Sequence, residues 1–399
     1  MTTLKFTVPA SLLLTALCLG SAQAQTTLQI LDYFTSNPTY DKAMAAAIQK
    51  YEAATPGIKI QRTSVQFGDL KNRIIQATAT RTVPDILFID NPDHQAMASQ
   101  GSLADITSYL KGSKYIPMYQ KGPLSSTIYQ GKNYGLPYIS NATVLYSNDA
   151  MLKAAGVKAP LTWDELRATA KKLTTNDHYG FCMSGVGTEE GTFTFLPFLW
   201  STGSDLQRFG DAGTIKALTY WGDLYKDKSI SRAAVNWSQG DVYQQFIAQK
   251  CAMMINGPWQ LPNFANDKVT FKWGVSAWPK DMQPVSILGG ENLALGNGPH
   301  VADAWKFVSW LVQPENLKPL MVAAGSIPNR TDIAKGFTTD PVVETFIKAV
   351  AVAKPRAYGP KYPQISEQVW IAFQSVATGA KTPEKAAQDA AAAIKPLFK

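Results

Sequence analysis

The 399-residue chain is poor in the side chains that do most metal and covalent chemistry, with three histidines and three cysteines. His94, His178 and His300 stand far apart and at no ligand spacing, so no metal centre is expected. The chain has no Gly-x-Ser-x-Gly elbow and no P-loop, so neither motif points to a catalytic or cofactor role, and none is expected. Its basic residues are scattered, as Lys153, Lys226 and Lys354 illustrate, with no basic run interleaved with aromatics. A nucleic-acid partner is therefore not expected. Beyond residue 24 no apolar run approaches the length of a membrane span.

What is present begins with an address. Residues 1–24 carry Lys5, an apolar block from Ala10 to Leu19, and small residues at Ala22 and Ala24. Charge, then an apolar block, then Ala-x-Ala is the order of a secretory signal peptide. The mature chain is expected to begin at Gln25 and to work in a periplasm. A lipid anchor is disfavoured, because Leu17 rather than a small residue precedes Cys18. Removing the leader takes away one lysine and no acid, leaving a mildly basic 37 Lys+Arg against 30 Asp+Glu. Cys182 and Cys251 remain, both in expected strands. Export allows a disulfide between them; two buried, unpaired thiols are the alternative.

The mature chain opens on an alternating pattern. Leu28 to Phe34 reads as a strand, Asp41 to Ala54 as a helix, Ile58 to Val65 as a strand, Leu70 to Ala77 as a helix, and Ile86 to Ile89 as a short buried strand. Strands buried on both faces and alternating with helices predict a parallel sheet with right-handed crossovers. Ligands bind beyond the carboxyl ends of such strands. Here those ends are Tyr33-Phe34-Thr35, Gln66-Phe67 and Asp90-Asn91. A second α/β pattern starts near Val144, with Thr162 and Glu165 spaced as a capping box. The segment 184–203 is rich in Gly, Thr and aromatics and reads as a loop or short helix with exposed aromatic faces. The length implies two domains or one interrupted by another.

Several motifs together resemble the maltose-binding-like family of bacterial extracellular solute-binding proteins, which serve carbohydrate ABC transporters. They are Pro84-Asp85-Ile86 with Asp90, Gly135-Leu136-Pro137-Tyr138, Val144 to Asn148, Pro160 to Leu166, Phe246 to Trp259, Gly289 to Leu295, and Gly325-Ser326-Ile327-Pro328. The likeness runs the whole mature chain. It implies a type II, Venus-flytrap periplasmic-binding-protein fold, with two α/β lobes that are each a mainly parallel sheet flanked by helices. The implied crossings fall near 138–142, 289–293 and 318–326. That divides the chain into an N-lobe of 25–139 plus 292–320 and a C-lobe of 140–291 plus 321–399. The implied partners are a sugar and the transmembrane permease subunits of an importer, with the protein itself a monomer. Binding proteins for another solute, such as glycerol phosphate, and exported carbohydrate enzymes remain alternatives.

A sugar presents polar edges and apolar C–H faces, so its site needs aromatic planes and a few convergent polar groups. Asp90 and Asn91 end the third strand, and Gln66 the second. Of Tyr33 and Phe34, the period of two lets only one face the cleft; Tyr33 is the candidate. Trp237 stands in a polar segment, where helix packing explains a large ring poorly; Trp259 follows Gly257-Pro258. Gly290-Glu291 sits at the second implied crossing, where glycine lets backbone approach a ligand. The resemblance adds Tyr138 and places Arg356 and Tyr358, on a proline-braced loop, near the cleft.

Overall fold

The computed structural model describes Thr2 and residues 25–34 and 37–398. The rest of the expected leader, with Cys18, and Thr35 at the first strand end lie outside the described residues.

The first lobe is built on β1 (Thr26–Asp32), α1 (Pro38–Ala54), β2 (Ile58–Ser64), α2 (Phe67–Ala79) and β3 (Ile86–Asp90). β1 pairs in parallel with both β2 and β3. β3 is buried throughout its Ile-Leu-Phe-Ile-Asp length, as a strand covered on both faces must be. α1 starts where Asn37 accepts a hydrogen bond from the Tyr40 amide, with Pro38 in its first turn. Its buried face carries Tyr40, Met44 and Tyr51. The strand Glu291–Leu295 returns from far along the chain to pair antiparallel with β3, and Gly135–Pro137 pairs with it in turn.

The second lobe departs from the expected mainly parallel sheet: it has two small sheets paired mostly antiparallel, because strands far apart in sequence meet there and the alternation of strands and helices does not fix their direction. Val144–Asn148 lies between Trp273–Ser276 and Met253–Asn256, antiparallel to both. Ser286–Gly289 pairs in parallel with Ala353–Lys354 and antiparallel with Asn141–Ala142. Thr162 and Glu165 form the expected capping box on the helix Trp163–Leu173. Cys182 and Cys251 are joined by a disulfide, with their Cα atoms 5.9 Å apart.

Three differences from the sequence expectations bear on the site. The segment 184–203 is not an open loop: Glu189–Ser201 is a helix, buried from Gly191 to its end. Phe195, Phe198 and Trp200 are core side chains. A helix apolar on all sides is stable only inside a core. Glu291 belongs to a first-lobe strand rather than to a C-lobe ending at 291, so the crossing narrows to Gly290. The stretch after 320 does not pass directly to the second lobe. Met321, Ala324 and Ile333 pack in the first-lobe core, while Ile327 touches a second-lobe cluster. Arg330, fully buried, lies 4.1 Å from the Tyr115 ring centroid and donates to the Val312 carbonyl. The chain enters the second lobe for good with the helix Pro341–Ala351, whose Phe346 joins that lobe's core.

Candidate functional site

A cleft of about 520 Å³ lies where the two lobes meet. Its first-lobe wall comes from the strand ends, with Gln66, Phe67, Asp90, Glu291 and both Tyr33 and Phe34 rather than one of the two, because β1 ends at Asp32 and its alternation does not extend to them. The second lobe contributes Asn141, Glu189, Glu190, Phe193, Gln239, Trp259, Gln260 and Arg356. Gly290 forms part of the floor at φ +127°, and a Cβ there would collide with the Ile139 carbonyl. That position is closed to other residues by both conformation and space.

The polar groups are unequally satisfied. Tyr33 donates its hydroxyl to Oε1 of Glu291, while Oε2 of the same carboxyl has no partner. Oδ1 of Asn141 is also unpartnered and buried. Buried acceptors left open in this way are costly unless a ligand satisfies them. Burial pushes the Glu291 carboxyl up to about 8, and the nearby Asp90 adds to the rise against the Tyr33 hydrogen bond. Burial also lifts Asp90 to about 6, outweighing the attraction of Arg356.

Arg356 ties the lobes together. Its Nη2 donates to Oδ1 of Asp90 at 3.0 Å and to Oδ1 of Asn91 at 3.3 Å. Its Nη1 donates to Oδ2 of Asp90 at 3.3 Å and to Glu189. The guanidinium sits 4.6 Å from the Phe193 ring centroid. Glu189 is held in turn by the hydroxyls of Tyr362 and Ser366. Trp259 packs 6.2 Å from Phe193, centroid to centroid, and its ring lies over Gly257, where a side chain would collide with it.

Seven of the sequence candidates line this cleft: Tyr33, Gln66, Asp90, Trp259, Gly290, Glu291 and Arg356. Asn91 lies just behind, on Arg356. Three do not reach it. Tyr138 is fully buried in the first-lobe core, its hydroxyl 2.8 Å from that of Tyr40. Trp237 packs against two second-lobe clusters, leaving its neighbours Ser238 and Gln239 to face the cleft. Tyr358 donates to Asp205 and accepts from the Trp200 indole, away from the opening. Glu189, Glu190 and Phe193 are not among the sequence candidates, because their segment reads as a loop or short helix with exposed aromatic faces rather than as a buried helix. The acidic pair after Thr188, at the head of an apolar run, was the available signal. Among the described residues no group of three or more His, Cys, Asp or Glu side chains could hold a metal ion.

Residues 46–345 match the family model described as bacterial extracellular solute-binding protein. The chain belongs to that family. A putative binding protein of Brucella abortus is 23% identical over 98% of this chain and 97% of its own length. The multiple sugar-binding protein of Streptococcus mutans is 25% identical over 74% of each chain. Among solved structures, an ABC transporter solute-binding protein from Thermotoga lettingae, bound with α-D-tagatose, superimposes with a TM-score of 0.87. It is 28% identical and matches 94% of this chain and 100% of that one. These likenesses agree with the two-lobe binding-protein fold.

Proposed function

We propose that this protein is the extracytoplasmic substrate-binding component of a carbohydrate ABC importer. It holds a sugar between its lobes, closes on it, and delivers it to the membrane permease. A di- or oligosaccharide such as maltose, trehalose or sucrose is the favoured cargo. The observation that carries the reading is the pairing of unpartnered polar oxygens, Glu291 Oε2 and Asn141 Oδ1, with the aromatic planes of Tyr33, Phe193 and Trp259 in one cleft. Sugar hydroxyls, which both donate and accept, satisfy such oxygens, and sugar C–H faces suit such rings. The ligands named for the Streptococcus mutans and Thermotoga lettingae proteins support the same class.

A phosphate ester fits less well. Arg356 is the one guanidinium among the described residues lining the cleft, and two carboxylates already occupy it. Two of the cleft carboxyls are already engaged, which supports binding over turnover: Glu189 with Arg356, Tyr362 and Ser366, and Asp90 with Arg356.

Thermal unfolding against a panel of mono-, di- and trisaccharides tests this. A sugar at a hundred times its dissociation constant adds roughly 2.7 kcal/mol of stability, and small-angle scattering should show compaction on binding. No stabilisation by any sugar in the panel would sink the carbohydrate reading, and hydrolysis of chromogenic glycosides would replace it with an enzyme.

A further inference from the structure

The space between the lobes is divided. A second cavity of about 580 Å³ lies beyond the first, between α2 and the helix Tyr362–Ala377. The two cavities share Phe67, Gly68, Asp90, Glu189 and Glu190 as lining. What separates them is therefore the first turn of α2, the end of β3, and the start of the helix Glu189–Ser201. Arg356 faces only the first cavity. It is 3% exposed and joins Asp90 of one lobe to Glu189 of the other.

This partition is rigid for a physical reason. Asp90 and Glu189 are two buried carboxylates with one guanidinium between them. Displacing Arg356 would break the direct ion pairs of both and leave them only Lys71, which is already bridged to Asp93, and that costs far more than moving a neutral side chain. A ligand lying on Trp259 and Glu291 cannot push through. The far cavity is nevertheless able to take a polar ring, since it offers Lys71, Gln364 and Glu367 beside the Trp370 indole.

We propose that Arg356 is the end wall of the cleft and sets the length of saccharide that the protein accepts. This rests on the carbohydrate reading. The permitted ligand is short, about one or two rings, and ends against the guanidinium. Without the Arg356 side chain, Asp90 and Glu189, which stand in the partition, lose the tie between them, and the partition opens to a longer chain.

The test is calorimetric titration with graded series on the full chain: glucose, maltose, maltotriose and maltotetraose, then sucrose, raffinose and stachyose, with tagatose as a further monosaccharide. The wild type is expected to bind one or more of the mono- and disaccharides and to lose about 100-fold or more on addition of a third ring. Arg356→Ala should recover at least about tenfold for the longer members. Because Arg356→Ala exposes two like charges, Arg356→Ala/Glu189→Gln provides a second variant in which the Tyr362 and Ser366 hydroxyls keep an acceptor. Wild-type binding of a tri- or tetrasaccharide as tight as that of its shorter relative overturns the wall, as does an unchanged length limit in a folded variant. No response to any sugar overturns the carbohydrate reading and the wall together, so the two failures are distinguishable.

Discussion

Glu291 lies in register with Asp90 on neighbouring antiparallel strands, so the second crossing of the chain delivers one carboxyl beside another. Both are buried, and both are harder to ionise than free carboxyls. A raised folded value in an acid means stability that is full below the ordinary value and is lost as pH climbs through the folded one. For Glu291 the loss should span the rise from about 4.5 towards and through about 8. Between pH 7 and 9 the ligand-free protein should lose roughly 1 kcal/mol from this group, most of its contribution having gone between about pH 4.5 and 7. Glu291→Gln, which mimics the neutral acid, should flatten that part of a melting-temperature profile. An equally steep fall in the variant would show that another group is responsible.

Trp259 and Tyr358 separate binding from packing. Trp259→Ala removes a ring that lines the cleft and should weaken sugar affinity roughly 10- to 100-fold. Tyr358→Phe removes hydrogen bonds to Asp205 and Trp200 outside the cleft. It should cost about 1 kcal/mol of stability and leave affinity unchanged. Titration and urea denaturation of both variants check the contrast; a large affinity loss in Tyr358→Phe would contradict this geometry.

Gly290→Ala places a Cβ against the Ile139 carbonyl at a backbone angle that only glycine adopts readily. A loss of about 1–3 kcal/mol or more is expected. It should be visible as a lower urea midpoint, and an unaltered midpoint would mean that the crossing relaxes freely.

The bond between Cys182 and Cys251 spans 69 residues of sequence. Replacing both cysteines by alanine should destabilise the protein by roughly 2–4 kcal/mol. Both are fully buried within the second lobe, so sugar affinity at low temperature should be unaffected. The check is a denaturation curve paired with a binding isotherm.

Much of the first lobe was legible because its strands are short apolar runs between turn signals, and their ends could be read off before any packing was known. Asp90, Gln66 and Tyr33 follow from that alone. Trp237 and Tyr358 do not line the cleft, for one reason. Their neighbours in sequence are polar or proline-rich, but the surfaces that bury them come from elsewhere: two core clusters for Trp237, and Trp200 with Asp205 for Tyr358. Local composition carries no information about such partners. The helix Glu189–Ser201 was obscured in the same way. Its glycine and threonines resemble a loop, and only full burial explains a helix apolar on every side. A loop or short helix with exposed faces gives Glu189 no defined direction, so the second carboxylate on Arg356, beside Asp90, is not legible in the sequence.

The path after residue 320 has a consequence for how the lobes can be taken apart. Arg330 reaches the Val312 carbonyl and lies on Tyr115, and Ile333 fills the same core. A first-lobe fragment cut at 320 would therefore lose a guanidinium and an aliphatic side chain from its interior. The natural seam for excising or exchanging a lobe lies between Phe337 and Pro341, after the last first-lobe contact and before the helix Pro341–Ala351. Chimaeras joined there keep the first-lobe interior whole and take from the second-lobe core only Ile327, whereas those joined at 320 would strip the first lobe of Met321, Ala324 and Ile333.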